Sequence, residues 1–197
     1  PYVDSVDDLN ELSAHLTNFS LNKDNPNYVV TDDLSKDGEG NKWSHKPFWP
    51  FLEEQGFDAE EIKSNIYDAI ATLFVAGRHA LLKQTNHRLS VELYGADVLI
   101  DEKGGIHVLE VNVSPALGVS SALDYDIKSH LIRDFFNLAL FPDGSVIQTA
   151  IELEMEDGVD SRFKEYVAIC EFEAAEKRTG NFVRIFPTIE YENKHGK

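Results

Sequence analysis

Val91-Glu92-Leu93-Tyr94-Gly95-Ala96-Asp97-Val98-Leu99-Ile100-Asp101-Glu102-Lys103-Gly104-Gly105-Ile106-His107-Val108-Leu109-Glu110-Val111-Asn112-Val113 carries acid groups where a core would be. Both arms are apolar and β-branched, with a Lys-Gly-Gly turn signal between them, so the spacing predicts an antiparallel hairpin. A turn centred on Lys103 and Gly104 sets Asp97 opposite Glu110, on one face, with Cβ atoms roughly 5 Å apart. Asn112 lies two residues beyond Glu110 and returns to the same face, opposite Gly95, which leaves room above it. Facing carboxylates repel, so positive charge is expected between them. Two carboxylates and one amide form an all-oxygen set that suits Mg²⁺ better than zinc or copper. The alternative is a hairpin edge whose acids face water, and a slip of one residue sends the two acids to opposite faces.

Helical spacing surrounds the hairpin, which makes the fold class α+β. Residues 58–82 read as a long helix: Asp58 caps it, Glu61 stands at capping-box spacing, and Ile62, Ile66, Ile70, Leu73 and Phe74 form one apolar stripe read as core. Asp124 or Asp126 starts a second helix carrying Ile127, Leu131, Phe135 and Leu138. A third is expected from about Ser161 to Lys177, ending before Gly180 as a C-cap. Residues 24–50, rich in Asp, Asn, Gly and Pro, read as a long surface loop. Ser114 and Pro115 end the second strand and turn the chain. No internal repeat is present.

With 42% hydrophobic and 11% aromatic residues, the 197-residue chain can bury a sizeable core. The one cysteine, Cys170, precludes an internal disulfide, suits a reducing compartment, and has packing as its expected role. No apolar run approaches the roughly 20 residues of a membrane helix and no signal peptide opens the chain, so no membrane partner is expected. A net charge of -17 argues against nucleic acid as a partner. Much of the acid is local, at Asp58 to Glu61 and Glu152 to Asp160, and fits solvated helix ends or loops.

The run E-L-Y-G-A-D-V-L-I-D, then H-V-L-E-V-N-V-S-P-A-L, then A-L-D-Y-D-I-K resembles the C-terminal core of the tubulin tyrosine ligase-like family, ATP-grasp ligases that attach amino acids to tubulin. His15-Leu16-Thr17-Asn18-Phe19-Ser20-Leu21-Asn22-Lys23 is a second match, upstream in the family's order. Gly40-Asn41-Lys42-Trp43-Ser44 is similar to a segment of polyglutamylating members, and Arg178-Thr179-Gly180-Asn181-Phe182-Val183-Arg184-Ile185-Phe186-Pro187 fits downstream. The resemblance implies the C-terminal part of an ATP-grasp fold, mainly antiparallel sheet flanked by helices. Residues 1–150 are then the C-terminal portion of the ligase domain, and residues 151–197 a helix and tail completing or flanking it. The chain opens at Pro1, in mid-motif, so a longer protein is expected whose upstream half carries adenine- and phosphate-binding residues. This stretch alone is expected to be inactive.

The same resemblance implies the roles of individual residues. Asp97, Glu110 and Asn112 match the family's metal ligands, with Glu110 bridging two ions, and ATP and Mg²⁺ are the implied cofactors. Thr17 and Asn18 match residues that contact the nucleotide, where a hydroxyl and an amide serve phosphate or ribose oxygens. Ser20 and Lys23 follow on the same segment toward the incoming amino acid. Phe19 stands where the family commonly has tyrosine, which removes a hydroxyl. Lys128 matches a lysine that holds the amino acid's carboxylate, at what reads as a free helix N-terminus; its alternative is a solvated cation paired with Asp124. Arg133 and Arg184 are candidates for phosphate or tubulin.

The motif combination is closest to glutamate-adding members of chain-initiating type, since Val113 stands where elongating relatives often carry histidine. The implied partners are tubulin or microtubules and free glutamate, in the cytoplasm on the cytoskeleton, extending to cilium or basal body. Gly95-Ala96-Asp97 is also seen in glycine-adding members, which makes glycylation the alternative. A non-catalytic microtubule-associated scaffold is a further alternative, against which the intact Asp97, Glu110, Asn112 and Lys128 speak.

Overall fold

The computed structural model describes residues 19–29, 32–84, 91–139, 177–186 and 188–195. In chain order these form α1 (Phe19–Asn22), a 3-10 turn (Leu34–Lys36), α2 (His45–Glu54), α3 (Ala59–Gln84), β1 (Tyr94–Ile100), β2 (Ile106–Val113), α4 (Ala122–Ala139) and α5 (Ile189–His195). The α+β class holds, with a two-stranded antiparallel sheet among the described residues.

The long helix α3 begins where the sequence places it. Asp58 accepts from the backbone N–H groups of Glu60 and Glu61, both at 3.0 Å, which satisfies two donors the first turn leaves open. Its apolar stripe is only partly core. Ile62 is buried, together with the small residues Ala59 and Ala71, whereas Leu73 is 45% exposed. A sheet of two strands is narrower than the stripe, so it leaves part of the stripe uncovered. Phe74 packs edge-on against Tyr94 of β1 at 5.1 Å, and Ala69, Thr72 and Ala76 face Val108 and Val111 of β2.

Two expectations are corrected. Residues 24–50 are not all loop, because α2 starts at His45. Ser44 caps it by accepting from Lys46 N at 3.1 Å, and Pro47 falls in the first turn, where a missing N–H breaks no intrahelical bond. Pro50 then forfeits one such bond inside the helix. The start of α4 is likewise neither Asp124 nor Asp126. The Ser121 hydroxyl accepts from Asp124 N at 3.1 Å and the Ser121 carbonyl from Tyr125 N, so Ser121 caps a helix that begins at Ala122. The helix expected over 161–177 lies outside the described residues up to 176, and Lys177 and Arg178 form a turn. Cys170 also lies outside them.

The hairpin reaches the expected pairing by a different route. Next to the loop, Ile100 pairs with Ile106 and Val98 with Val108, a register centred on Lys103 that would set Asp97 against Leu109. A β-bulge leaves Leu109 without a partner, and beyond it Asp97 pairs with Glu110 and Gly95 with Asn112. The extra residue keeps both Val108 and Val111 on the helix side while turning Glu110 and Asn112 to the other. The loop is closed by Asp101, whose Oδ1 accepts from the N–H groups of Lys103 (2.9 Å) and Gly105 (2.8 Å) and whose Oδ2 lies 2.9 Å from His107 Nε2. Gly104 takes the left-handed conformation the turn requires, at φ 79°.

Candidate functional site

Asp97, Glu110 and Asn112 share the sheet face turned away from α3, and all three are exposed. The Asn112 amide Nδ2 donates to Glu110 Oε1 at 2.9 Å, which fixes the two side chains next to each other. No room is left above Asn112 of the kind Gly95 suggested. A Cβ at Gly95 would lie 2.9 Å from Pro115 Cβ, so glycine there admits the chain as it leaves β2. That departure is made by Ser114 at φ 62°, in the left-handed region uncommon for a non-glycine residue. Among the described residues no three His, Cys, Asp or Glu side chains converge. The donors are two carboxylates and an amide on an open face, which fits a hard divalent cation that keeps water and phosphate oxygens in its shell.

A second cluster forms around Asp124, which is 6% exposed. Its Oδ2 accepts from the backbone N–H of Ser120 (3.0 Å) and from the Ser120 hydroxyl (2.6 Å), and Lys42 Nζ stands 3.1 Å from its Oδ1. Lys128 Nζ donates to the carbonyl of Gly118 and lies 3.9 Å from Asp124 Oδ2. Lys128 is therefore in the second turn of α4, and the N-terminus of that helix is already occupied by Ser121 and Asp124. It is not at a free helix end, and the pairing with Asp124 that the alternative expects is present as an ion pair at 3.9 Å beside the bond to Gly118. A cleft of about 280 Å³ opens beside the cluster, lined by Phe19, Lys23, Tyr28, Lys42, Ser120 and Ser121 among others. Lys42 crosses the face of Phe19 at 4.5 Å, a cation–π contact that needs no tyrosine hydroxyl.

Of the other residues singled out by sequence, Lys23 is exposed at the rim of this cleft and Ser20 lies in α1. Thr17 and Asn18 lie outside the described residues. Arg133 is engaged within the chain, 2.8 Å from the Asp134 carboxylate, with more than half of its side chain exposed. Arg184 lines a groove with Lys63, Tyr67 and Asp68 of α3. The cluster also contains Lys42, Asp124 and Ser120, to which sequence reasoning gave no role at a site. Their signal was present in G-N-K-W-S and L-D-Y-D, but nothing in the sequence says that positions 82 residues apart meet.

Burial alone would raise the Asp124 carboxyl, but the Ser120 hydroxyl, the Lys42 ammonium and the Ser120 N–H outweigh it and hold the group at about 2. Asp101 is likewise held at about 2 by the His107 side chain and the N–H groups of Gly105 and Lys103. Both values lie below the ~3.9 of an unfolded aspartate, so the stabilisation is complete above about pH 4 and is lost as pH falls toward about 2. Acid unfolding followed by circular dichroism should be shallower over that window in Asp124→Asn than in the parent protein. Superimposable acid limbs would show that the Asp124 cluster does not contribute.

Residues 1–148 match the model of the tubulin-tyrosine ligase family. The chain belongs to that family. The human protein named tubulin monoglutamylase TTLL4 is 37% identical over 145 residues, 71% of this chain and 12% of the relative. The human tubulin polyglutamylase TTLL5 is 37% identical over 132 residues, 64% of the chain and 10% of the relative. A tubulin polyglutamylase of Caenorhabditis elegans, ttll-4, is 32% identical over 144 residues, 71% of the chain and 23% of the relative. The chain thus spans between a tenth and a quarter of the length of these relatives. Both clusters fall inside the segment matched to the family. No helix among the described residues is long and apolar enough to cross a membrane.

Proposed function

We propose that the chain is the C-terminal part of an ATP- and magnesium-dependent ligase of ATP-grasp type that adds glutamate to glutamate side chains in tubulin tails. The observation that carries this reading is the pairing of Asp97 with Glu110, Asn112 beside them, on the sheet face opposite the helix. The names of the relatives, tubulin mono- and polyglutamylases, favour glutamate over glycine as the added amino acid. In this reading residues 1–150 belong to the ligase domain and residues 151–197 complete or flank it. The protein acts in the cytoplasm on the cytoskeleton.

Asp97, Glu110 and Asn112 are the residues that would hold Mg²⁺, and an ion bound there supplies positive charge against the phosphates during transfer. The acceptor's side-chain carboxylate takes the γ-phosphoryl group of ATP and ADP leaves. The amine of free glutamate then attacks that carbonyl, expels phosphate and loses a proton, so one amide bond forms. The chain's own part in this is placement, with no protein nucleophile required. Thr17 and Asn18 are assigned to the nucleotide, and Ser20, Lys23 and Lys128 to the incoming amino acid.

The test is transfer of labelled glutamate to tubulin by the full-length protein. Label should enter tubulin only when Mg-ATP is present, and entry without ATP would rule out a ligase. Lys128→Ala should raise the KM for glutamate by about tenfold or more, as expected for losing a charge-assisted hydrogen bond, and leave that for ATP unchanged. Equal losses for both substrates would instead assign Lys128 to the phosphates or to the fold.

A further inference from the structure

Asp124 stands between two lysines, in ion-pair reach of both and hydrogen-bonded to only one of them. Lys42 reaches Oδ1 at 3.1 Å and Oδ2 at 3.4 Å, while Ser120 occupies Oδ2 through both its N–H and its hydroxyl. Lys128, one turn further along α4, stops at 3.9 Å, beyond hydrogen-bond distance, and gives its proton to the neutral carbonyl of Gly118. An ammonium on a neutral carbonyl exchanges readily for a ligand carboxylate. One bonded to a buried carboxylate does not, because that bond is charge-assisted on both sides.

Lys42 is held where it can play this part. Asn41 Oδ1 accepts from Val29 N at 2.8 Å, Trp43 Nε1 donates to the Gly40 carbonyl at 2.9 Å, and Ser44 N donates to Asp37 Oδ1 at 2.9 Å. These bonds pin the backbone on either side of Lys42, and the Phe19 ring supports its ammonium. We infer that Lys42 is a positioning residue for Lys128: it neutralises Asp124, so that the Lys128 ammonium stays available to the carboxylate of the incoming amino acid. The inference rests on the reading of Lys128 as that carboxylate's contact.

The experiment is a double-mutant comparison in the full-length protein. Glutamate affinity is measured by calorimetry with a non-hydrolysable ATP analogue bound, alongside the KM for ATP. Lys42→Met keeps the aliphatic stem and removes the charge, which frees Asp124 to capture Lys128. Glutamate should then bind about tenfold or more weakly, as for loss of one charged hydrogen bond, with the KM for ATP unchanged. Adding Asp124→Asn to Lys42→Met removes the competing charge and should restore most of the lost affinity. Lys42→Arg should retain it. A double variant no better than Lys42→Met, or parallel losses for ATP and glutamate, would overturn the inference and leave Lys42 a structural contact. Lys128→Met separates the two layers. If it weakens glutamate binding and Lys42→Met does not, only the present inference fails; if it leaves glutamate binding intact, the reading of Lys128 fails with it.

Discussion

Glu110→Gln is expected to abolish ligation while leaving the fold intact. Glutamine has nearly the same shape, and Glu110 is an exposed residue paired with Asp97 across the hairpin, so no buried packing depends on its charge. The charge is what the reaction loses. Removing a group that stabilises developing charge commonly costs about 3 kcal/mol or more of barrier, which is about a hundredfold or more in rate. The comparison to make is glutamate transfer at saturating Mg-ATP in the two proteins, with their circular dichroism spectra overlaid. A variant that retains turnover would remove Glu110 from the metal site.

The largest expected loss of stability is at Gly180. It has φ 57°, where an L side chain is strained, and a Cβ built there would lie 2.2 Å from the Cγ of Asp134. Asp134 cannot simply move aside. It is 2% exposed, accepts from Asn181 N at 3.0 Å and Asn181 Nδ2 at 3.1 Å, and is held from the other side by Arg133 Nε at 2.9 Å. Those bonds, the Asn181 N–H first, also hold its carboxyl below the usual range. Gly180→Ala must therefore either displace a carboxylate from its donors or push the 177–186 segment off α4. We expect a loss of about 2 kcal/mol or more, read as a fall in the urea midpoint. An unchanged midpoint would mean that the contact between R-T-G-N and L-I-R-D does not hold this segment.

How much of this could be read from residues alone differs from element to element. The start of α3 was legible because capping is local: Asp58 and its two N–H donors lie within three residues of each other. The pairing of Asp97 with Glu110 was legible for a less secure reason. The loop-side register is one residue off the expected one, and the bulge at Leu109 restores it, yet Leu109 is chemically like any other apolar residue of the strand. The helix α2 was hidden because Pro47 and Pro50 read as loop residues, although proline in a first turn breaks nothing. The stripe on α3 was overread as core because spacing reports which residues share a face, not how wide a partner covers it. The least legible part was the Lys42–Asp124–Lys128 cluster. It joins segments far apart in the chain, and Lys128 reads as standing at an open helix end only because the capping residue, Ser121, cannot be told from its neighbours by order alone.

The most direct measurement is the mass of tubulin tails after incubation of the full-length protein with tubulin, Mg-ATP and an equal mixture of glutamate, glycine and tyrosine. Tails heavier by glutamate residues, with the increment absent in Glu110→Gln, are the expected result, and the number added distinguishes initiation from elongation. Glycine or tyrosine increments would contradict the assigned substrate. Unmodified tails together with no binding of Mg-ATP would contradict the ligase itself.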